Sequence, residues 1–333
     1  MLRVVFAGSP DCAVPALEAV AAAHTVVAVL SNPPAPSGRS REPHPTPVAQ
    51  AAERLKKEGL IAPEVPVITP EKITDEIRDQ LVAVKPDAMA CFAYGKIFGP
   101  KTLALFPRGA VNLHPSLLPR WRGCAPVPAA ILAGDRVTGI SIQKMVREMD
   151  AGDILAQKQY TIDPTETAGD LLDRLSREGA PMLVDVLDRL EAGTASGIPQ
   201  NHDEASYCGM LHKHDGEIDW SRPAQEIANR IRAFHPWPGA FTHTGDRMLL
   251  IHKAHPFTGT TEAGQQPGTV LGIDKKEGIL VQTGNGVLAL EALQWHAKKP
   301  LDWKSFMNGS RNFTGTVLGT VGESEINTTV RNQ

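Results

Sequence analysis

The 333-residue sequence lacks the features that mark secreted, membrane-spanning and metal-binding proteins. Its four cysteines stand far apart with no C-x-x-C pair, which argues against a disulfide framework or a zinc knuckle. No run of eighteen apolar residues occurs, and the first residues lack the charged, apolar and small-residue succession of a signal peptide. We therefore expect a cytoplasmic protein with no membrane segment and no metal.

Two motifs of other enzyme classes are also missing. Gly8 follows the first apolar run, where a dinucleotide-binding fold would carry G-x-G-x-x-G, but the other glycines are absent. A nicotinamide cofactor is therefore disfavoured, and Gly8 equally fits a tight turn between a strand and a helix. The G-x-S-x-G of serine hydrolases is absent too, so Ser116 gives little support to a covalent serine mechanism.

The composition is that of an ordinary globular protein, with 42% hydrophobic and 21% charged residues. The length favours two domains, each able to bury its own core. A net charge of -3 argues against nucleic-acid binding over the whole surface, so any such contact must be local.

The first half alternates short apolar runs with amphipathic stretches, the pattern of a parallel sheet wrapped by helices. The predicted strands are Val4–Ala7, Thr25–Leu30, Val65–Ile68, Ala88–Phe92, Ala110–Leu113 and Gly139–Met145. The predicted helices are Ala13–Ala23, Pro47–Glu58, Thr74–Val84 and Thr167–Leu190. This rhythm predicts an α/β fold with a doubly wound, mostly parallel sheet.

The second half has a different pattern. After small and polar residues typical of a linker, the helix-like stretch Ala224–Phe234 precedes strand-like runs separated by turn signals. A small β-barrel is the predicted fold. We expect a catalytic domain over 1–190, a linker over 191–207, a barrel domain over 208–315 and a weakly structured tail over 316–333.

Three polar residues suggest a reaction centre. Asn112 and His114 stand two residues apart at the end of a predicted strand, so their side chains point to the same face, and ligands of open α/β sheets bind beyond such ends. Asp150 ends another strand-like segment, where small residues let the backbone turn back toward a ligand. An amide and an imidazole that stabilise an oxyanion, with a carboxylate that keeps the imidazole charged, suit acyl transfer to an amine. By spacing alone, such residues belong to surface turns more often than to a reaction centre.

Residues 31–47 hold six prolines and predict an exposed loop without a regular element. Long loops beside the ligand crevice of a sheet are commonly functional. Arg39 and Arg41 of this loop could bind phosphates. A solvent-exposed loop whose arginines bind no ligand fits the composition as well.

The run from Asn112 to Gly123, NLHPSLLPRWRG, resembles the signature of the 10-formyltetrahydrofolate-dependent formyltransferase family. Further motifs of the family match at Phe6–Asp11, Ser37–Arg39, Ala93–Gly95, Asp150–Asp153, Ile218–Trp220 and Arg232–Gly239. The resemblance covers nearly all of residues 1–312, and its best fit is to members that act on methionyl-tRNA. The chain departs from the family at Asn32–Ala35, Met210, His212 and His235.

The resemblance implies transfer of a formyl group from 10-formyltetrahydrofolate to the amino group of methionine on initiator tRNA, for translation initiation. It implies that the catalytic residues are Asn112, His114 and Asp150. It implies that folate lies along Phe92, Ala93, Tyr94, Gly95, Ser116, Leu117, Leu118 and Pro119. It implies tRNA contacts at Arg39, Arg41 and Lys213, an OB-like second domain that holds the tRNA, and a monomer.

Two other functions are compatible with the sequence. A formyltransferase or hydrolase acting on an amino-sugar nucleotide, or on the folate itself, would share the trio of Asn112, His114 and Asp150. A non-catalytic RNA- or nucleotide-binding protein could keep the fold without the reaction, and the intact trio argues against it.

Overall fold

The computed structural model describes residues 1–36, 42–260, 264–310 and 312–321. The chain divides into two compact units. The first consists of Met1–Val127, Val137–Thr161 and Asp170–Gly209, and the second of Pro128–Arg136, Ile162–Gly169 and Met210–Gln333. None of the described helices combines the length and the apolar character needed to cross a bilayer.

The first unit is built on a seven-stranded sheet. Its strands are β1 (Arg3–Gly8), β2 (Thr25–Leu30), β3 (Val67–Ile68), β4 (Ala88–Phe92), β5 (Gly109–His114), β6 (Val137–Lys144) and β7 (Ile154–Thr161). They lie in the order β7-β6-β5-β4-β1-β2-β3. Strands β1 to β5 pair in parallel, whereas β5 with β6 and β6 with β7 are antiparallel. The predicted doubly wound, mostly parallel sheet is confirmed.

The helices begin at residues that suit a helix start. The described helices are α1 (Val14–Ala23), α2 (Pro47–Lys57), α3 (Asp75–Ala83), α4 (Pro100–Leu103), α5 (Pro126–Leu132), α6 (Ala168–Ala192), α7 (Ala224–Ala233) and α8 (Trp303–Asn308). Thr46 and Thr74 cap α2 and α3, because each hydroxyl accepts an N–H three residues on. Strand order reverses between β1 and β4, which opens a crevice at the carboxyl ends of these strands.

A strand at the sheet edge and a short strand pair are among the elements of the first unit that were not predicted. Strand β7 was not predicted, because its polar side chains lie largely exposed at the edge of the sheet. The loop over 31–47 was expected to hold no regular element, yet Ala35–Pro36 pairs with Pro43–His44. Proline weakens this short pairing, since Pro36 and Pro43 face each other and neither has an N–H to donate to the ladder.

The second unit is an antiparallel strand domain that encloses one hydrophobic core. Its strands are β8 (Ala240–Gly245), β9 (Arg247–Phe257), β10 (Val270–Asp274), β11 (Gly278–Gln282), β12 (Val287–Trp295), β13 (Leu301–Asp302) and β14 (Thr320–Val321). They lie in the order β10-β11-β12-β9-β8-β14, with β13 beside β12. Helix α7 buries Ile227 and Ile231 in the core formed with this sheet.

Residues 316–321 join the two ends of this sheet. The Val270 and Leu318 amides donate to the carbonyls of Thr316 and Gly268, and β14 pairs with β8. The sheet is thereby closed into a barrel, as the sequence predicted. The sequence pattern assigned 316–333 to a weakly structured tail, but 316–321 completes the barrel through backbone hydrogen bonds that leave no side-chain signal; residues 322–333 lie outside the described part. The predicted domain limits themselves stay a prediction.

Burial of His24 should make the stability of the first unit pH-dependent. The ring is 2% exposed, and burial lowers its pKa although Asp188 and Glu191 oppose the shift. As pH falls below about 6.5, the unfolded chain binds a proton that the folded chain binds less readily, so the free energy of unfolding falls. We therefore expect the free energy of unfolding, measured in urea, to fall less between pH 8 and pH 5.5 in His24→Gln than in the wild type. The exposed His44→Gln serves as control, and equal pH dependence in both variants would contradict the prediction.

Candidate functional site

The candidate site lies in the first unit, at the carboxyl ends of the central parallel strands. Strands β1, β4 and β5 end at Gly8, Phe92 and His114. The antiparallel pairing of β5 with β6 sets Gln143 opposite Asn112 and Ser141 opposite His114. Cross-strand neighbours share a face of the sheet, so Asn112, His114 and Gln143 face the same side.

His114 has one ring nitrogen fixed by the backbone. Its Nε2 lies 2.8 Å from the carbonyl oxygen of Trp121, which can only accept, so Nε2 carries the hydrogen in every protonation state. Its Nδ1 lies 3.7 Å from Oδ1 of Asp150. The imidazole is 4% exposed. Nδ1 is therefore the ring nitrogen that remains for a proton exchange.

Asp150 is held by two donors. The amide of Gly123 donates to Oδ2 at 2.8 Å, and the side chain of Gln143 donates to Oδ1 at 2.7 Å. The backbone of Asp150 is left-handed, with φ of 53°, a region that a non-glycine residue occupies at a cost of about 1–3 kcal/mol. Trp121, whose carbonyl faces His114, also has a positive φ, of 60°. Strained backbone thus surrounds the imidazole and the carboxylate.

Asn112 completes the predicted trio. It lies two residues before His114 on β5 and is partly exposed. Its side-chain amide forms no hydrogen bond with the residues that the structure describes, so its N–H groups remain available to a ligand. The structure therefore brings His114 and Asp150 together and sets Asn112 beside them. The roles of the three residues stay predictions.

The surroundings of Asp150 include residues that were not among the predicted site residues. Gln143 carried a signal, because it shares one face of the predicted strand with Ser141, opposite the face of Ile140 and Ile142. A second group lies in residues 198–208, which we call the return segment. Ile198 bridges to Ile154, and Tyr207–Cys208 pairs in parallel with Arg122–Gly123. Most of the return segment had been assigned to a linker because of its small and polar composition.

The residues predicted to bind folate differ in what they offer. Ala93 and Gly95 are exposed at the end of β4 with φ of 50° and 80°. Phe92 and Tyr94 are buried, and Tyr94 stacks on Phe98. Of this segment, Ala93 and Gly95 are thus the residues open to a ligand. In the second predicted stretch Ser116 and Leu118 are buried, whereas Leu117 and Pro119 are partly exposed.

Three potential nucleophiles near the site, Cys91, Cys208 and Ser116, lie in surroundings that disfavour their reactive forms. Cys91 is the residue before Phe92, the last of β4. Burial raises the pKa of its thiol to about 12, and the charge of Asp150 adds a smaller effect in the same direction. Burial also raises the pKa of the Cys208 thiol. The Ser116 hydroxyl is buried and donates to the carbonyl of Arg120 at 2.7 Å. A covalent intermediate on any of these groups is disfavoured, because the reactive form is the thiolate or an activated hydroxyl.

A group with metal-ligand chemistry lies elsewhere in the first unit. Ligand atoms of His24, Asp188 and Glu191 lie within 4.8 Å of one another. The Leu2 amide, however, faces Nδ1 of His24 at 3.4 Å, so the hydrogen of the neutral ring sits on Nε2, the nitrogen that faces Asp188. This tautomer offers no lone pair toward the carboxylates. The group shares no residue with the site around His114.

Of the three residues predicted to contact tRNA, the structure describes Lys213. Arg39 and Arg41 fall outside the described residues. Lys213 is exposed in the second unit, in a short 3₁₀ turn over Lys213–Gly216.

An amide, an imidazole and a carboxylate at the carboxyl edge of a doubly wound sheet are suited to the transfer of an acyl group to an amine. Residues 2–187 match the formyl transferase family, and residues 210–311 match its C-terminal domain. The chain belongs to the formyl transferase family.

Relatives within the family are similar over nearly their full length. The chain is 49% identical to the methionyl-tRNA formyltransferase of Treponema denticola over 94% of this chain and 98% of the relative. It is 50% identical to the methionyl-tRNA formyltransferase of Treponema pallidum over 93% of this chain and 97% of the relative. The similarity includes both units.

Solved structures share the fold at low sequence identity. An N-formyltransferase from Helicobacter canadensis, in complex with folinic acid and dTDP-3-aminofucose, is 18% identical to this chain, with a TM-score of 0.62. The match covers 87% of this chain and 99% of that one. HypX from Aquifex aeolicus, in complex with tetrahydrofolic acid, is 15% identical with a TM-score of 0.58 over 97% of this chain. The chain spans about half the length of HypX, 48%.

The hydrogen bond from Gly123 to Asp150 should depend on glycine. Gly123 has φ of 115°, and an added Cβ would lie 2.1 Å from the carbonyl oxygen of Cys208. Gly123→Ala must therefore shift the amide that holds Asp150, and a displacement near 1 Å lowers rates about a hundredfold. We expect a loss of that order in steady-state formyl transfer. Gly99→Ala, where an added Cβ meets nothing within 4 Å, is the matched control; retention of the wild-type rate in Gly123→Ala would refute the role of this bond.

Proposed function

We propose that the protein transfers the formyl group of 10-formyltetrahydrofolate to the amino group of methionyl initiator tRNA, working in the cytoplasm as a monomer. The observation that carries the reaction is the approach of His114 Nδ1 to Asp150 Oδ1 at 3.7 Å, with Asn112 beside them on β5. The choice of methionyl-tRNA as acceptor is supported by relatives of that name at 49% and 50% identity.

The geometry suggests a direct transfer. The uncharged α-amine attacks the formyl carbon, and a C–N bond forms while the carbonyl oxygen becomes an oxyanion. The Asn112 amide and the Nδ1–H of a protonated His114 donate to this oxygen. Asp150 stabilises the imidazolium and accepts the amine proton through water. The bond from the formyl carbon to the folate nitrogen then breaks, and the proton passes to that nitrogen.

The residues at the carboxyl edge fit a folate substrate. The exposed main chain at Ala93 and Gly95 provides polar groups at the end of β4, next to β5 with its free Asn112 amide. The buried hydroxyl of Tyr94 has no hydrogen-bond partner among the described residues. A flat heterocycle with amide edges needs such backbone donors and acceptors on an apolar wall. We propose that the segments 92–95 and 116–119 hold the folate.

The second unit offers a surface for the tRNA. The guanidinium of Arg247 stacks on Trp295, with its Cζ 3.7 Å from the ring centroid. This pair lines a pocket of about 350 Å³ that also includes His296, Lys298 and the single carboxylate of Asp246. Cations interleaved with an aromatic ring bind phosphates and bases of RNA. We propose that this surface, which we call the Arg247 surface, contacts the tRNA together with Lys213.

One assay tests the reaction and the acceptor together. The protein is incubated with radiolabelled 10-formyltetrahydrofolate and with initiator methionyl-tRNA, elongator methionyl-tRNA or a dTDP-amino sugar. The proposal expects label in the initiator tRNA, and far less in the elongator tRNA or the sugar. Label in the sugar alone would reassign the acceptor, and folate binding without transfer to any amine would refute the catalytic function.

Replacing the imidazole should remove most of the catalysis. Loss of one oxyanion donor typically lowers the rate about a hundredfold to a thousandfold, and we expect His114→Ala to show at least this loss in kcat. The His114→Ala variant should still bind folate, which equilibrium dialysis would measure. A His114→Ala variant with kcat within threefold of wild type would exclude the mechanism.

Charge removal on the Arg247 surface should weaken tRNA binding in a salt-dependent way. We expect Arg247→Ala and Lys298→Ala each to make the plot of log tRNA affinity against log salt concentration less steep. The magnitude of the slope should fall by about one, because one phosphate contact is lost. Filter binding at several salt concentrations would measure this. Lys275→Ala, an exposed lysine of the same unit, is the matched control. Slopes equal to the control's would show that this surface does not face the tRNA.

A further inference from the structure

Gln200 in the return segment reaches the backbone of Asp150. Its side chain is buried, and its Nε2 donates to the carbonyl oxygens of Asp150 at 2.9 Å and of Gly152 at 2.7 Å. Its Oε1 accepts from Nη2 and Nε of Arg122 at 2.7 and 3.1 Å. Both ends of the amide are thus used, by Arg122 at the oxygen and by the carbonyls of Asp150 and Gly152 at the nitrogen. Gln200 makes no contribution of its own to the mechanism described above.

Arg122 fixes which way this amide points. It is 2% exposed, and its remaining hydrogen-bond partners, His202 and the Tyr207 hydroxyl, also lie in the return segment. A guanidinium can only donate, so the oxygen of Gln200 must face Arg122 and the NH₂ group must face the carbonyls of 150 and 152. No carboxylate of the described residues pairs with this buried cation. The orientation of the Gln200 side-chain amide is therefore fixed, because exchanging its oxygen and its nitrogen would place a donor against Arg122.

The backbone of Asp150 needs such a restraint. Its left-handed conformation persists only where surrounding contacts outweigh the strain. Gly123 and Gln143 hold the carboxylate, whereas the Gln200 amide holds the main chain on both sides of Ala151. We propose that Gln200, oriented by Arg122, is a positioning residue that keeps the Asp150 carboxylate directed at His114. This inference rests on the proposed formyl transfer.

The first test separates positioning from folding. Gln200→Met preserves the volume of the side chain and removes its hydrogen bonds. We expect kcat of the full-length enzyme to fall about ten- to a hundredfold, the loss expected from a displaced catalytic group, while KM for folate and for methionyl-tRNA stays within about twofold. Gln159→Ala, an exposed glutamine on β7, is the control and should match wild type. Wild-type kcat in Gln200→Met would overturn the inference.

A double-mutant cycle tests whether Gln200 acts through Asp150. In single-turnover experiments we expect Gln200→Met to change the rate of an Asp150→Asn variant by less than about threefold, since there is no carboxylate left to position. If the two losses multiply instead, Gln200 acts independently and the inference fails. If wild type itself transfers no formyl group, the proposed function fails, which is a distinct outcome.

A second variant covers the case in which Gln200→Met does not fold. Gln200→Glu keeps the acceptor for Arg122 but cannot donate to the carbonyls of Asp150 and Gly152 at pH 8. We expect it to fold, as judged by circular dichroism and thermal unfolding, and to lose kcat to the same extent as predicted for Gln200→Met. Wild-type kcat in a folded Gln200→Glu variant would show that the two donated bonds do not position Asp150.

Discussion

The left-handed backbone of Asp150 is the constraint on which the rest of the site depends. At φ of 53° the chain turns back on itself between β6 and β7, and this turn aims the carboxylate toward β5. The position is occupied by aspartate although glycine would adopt it without strain. The conformation is retained because the carboxylate and the neighbouring carbonyls are each met by a donor from another segment. Strain at one residue is thus coupled to three separate parts of the first unit.

The same logic sets the ring of His114. A backbone carbonyl on Nε2 leaves a single nitrogen, Nδ1, to exchange protons, and that nitrogen faces the carboxylate. The carbonyl belongs to Trp121, one of the few non-glycine residues in the described chain with positive φ. The geometry of the candidate site is therefore defined by main-chain conformation as much as by the choice of side chains. The sheet supplies rigid positions, and the irregular segments after its strands supply the orientation.

The sequence predicts much of the fold and part of the site, and the reason differs between elements. Strands Thr25–Leu30 and Ala88–Phe92 were predicted to the residue, because strands buried on both faces form uninterrupted apolar runs. The edge strand β7 lacks such a run. Asn112 and His114 stand at the end of one predicted strand and Asp150 follows another, so their position at one edge of the sheet could be predicted from chain order.

Gln200 and Arg122 could not be predicted as partners in this way. Their contact depends on the return segment lying against residues 122 and 123, and backbone pairing of two residues leaves no periodic pattern in the sequence. A polar segment of this composition is typical of a spacer between domains. Tertiary contacts, which no local window contains, turned it into a wall of the site.

The return segment has a consequence for how enzymes of this kind can be recombined. It lies between helix α6 and Met210, where the last and longest part of the second unit begins, yet its hydrogen bonds belong to the first unit. Exchanging C-terminal domains between formyltransferases at the end of α6 would bring in a foreign copy of Gln200 and its surroundings. A fusion point after Gly209 leaves the native copy in place, so the border that matters for such chimeras is later than the one suggested by composition.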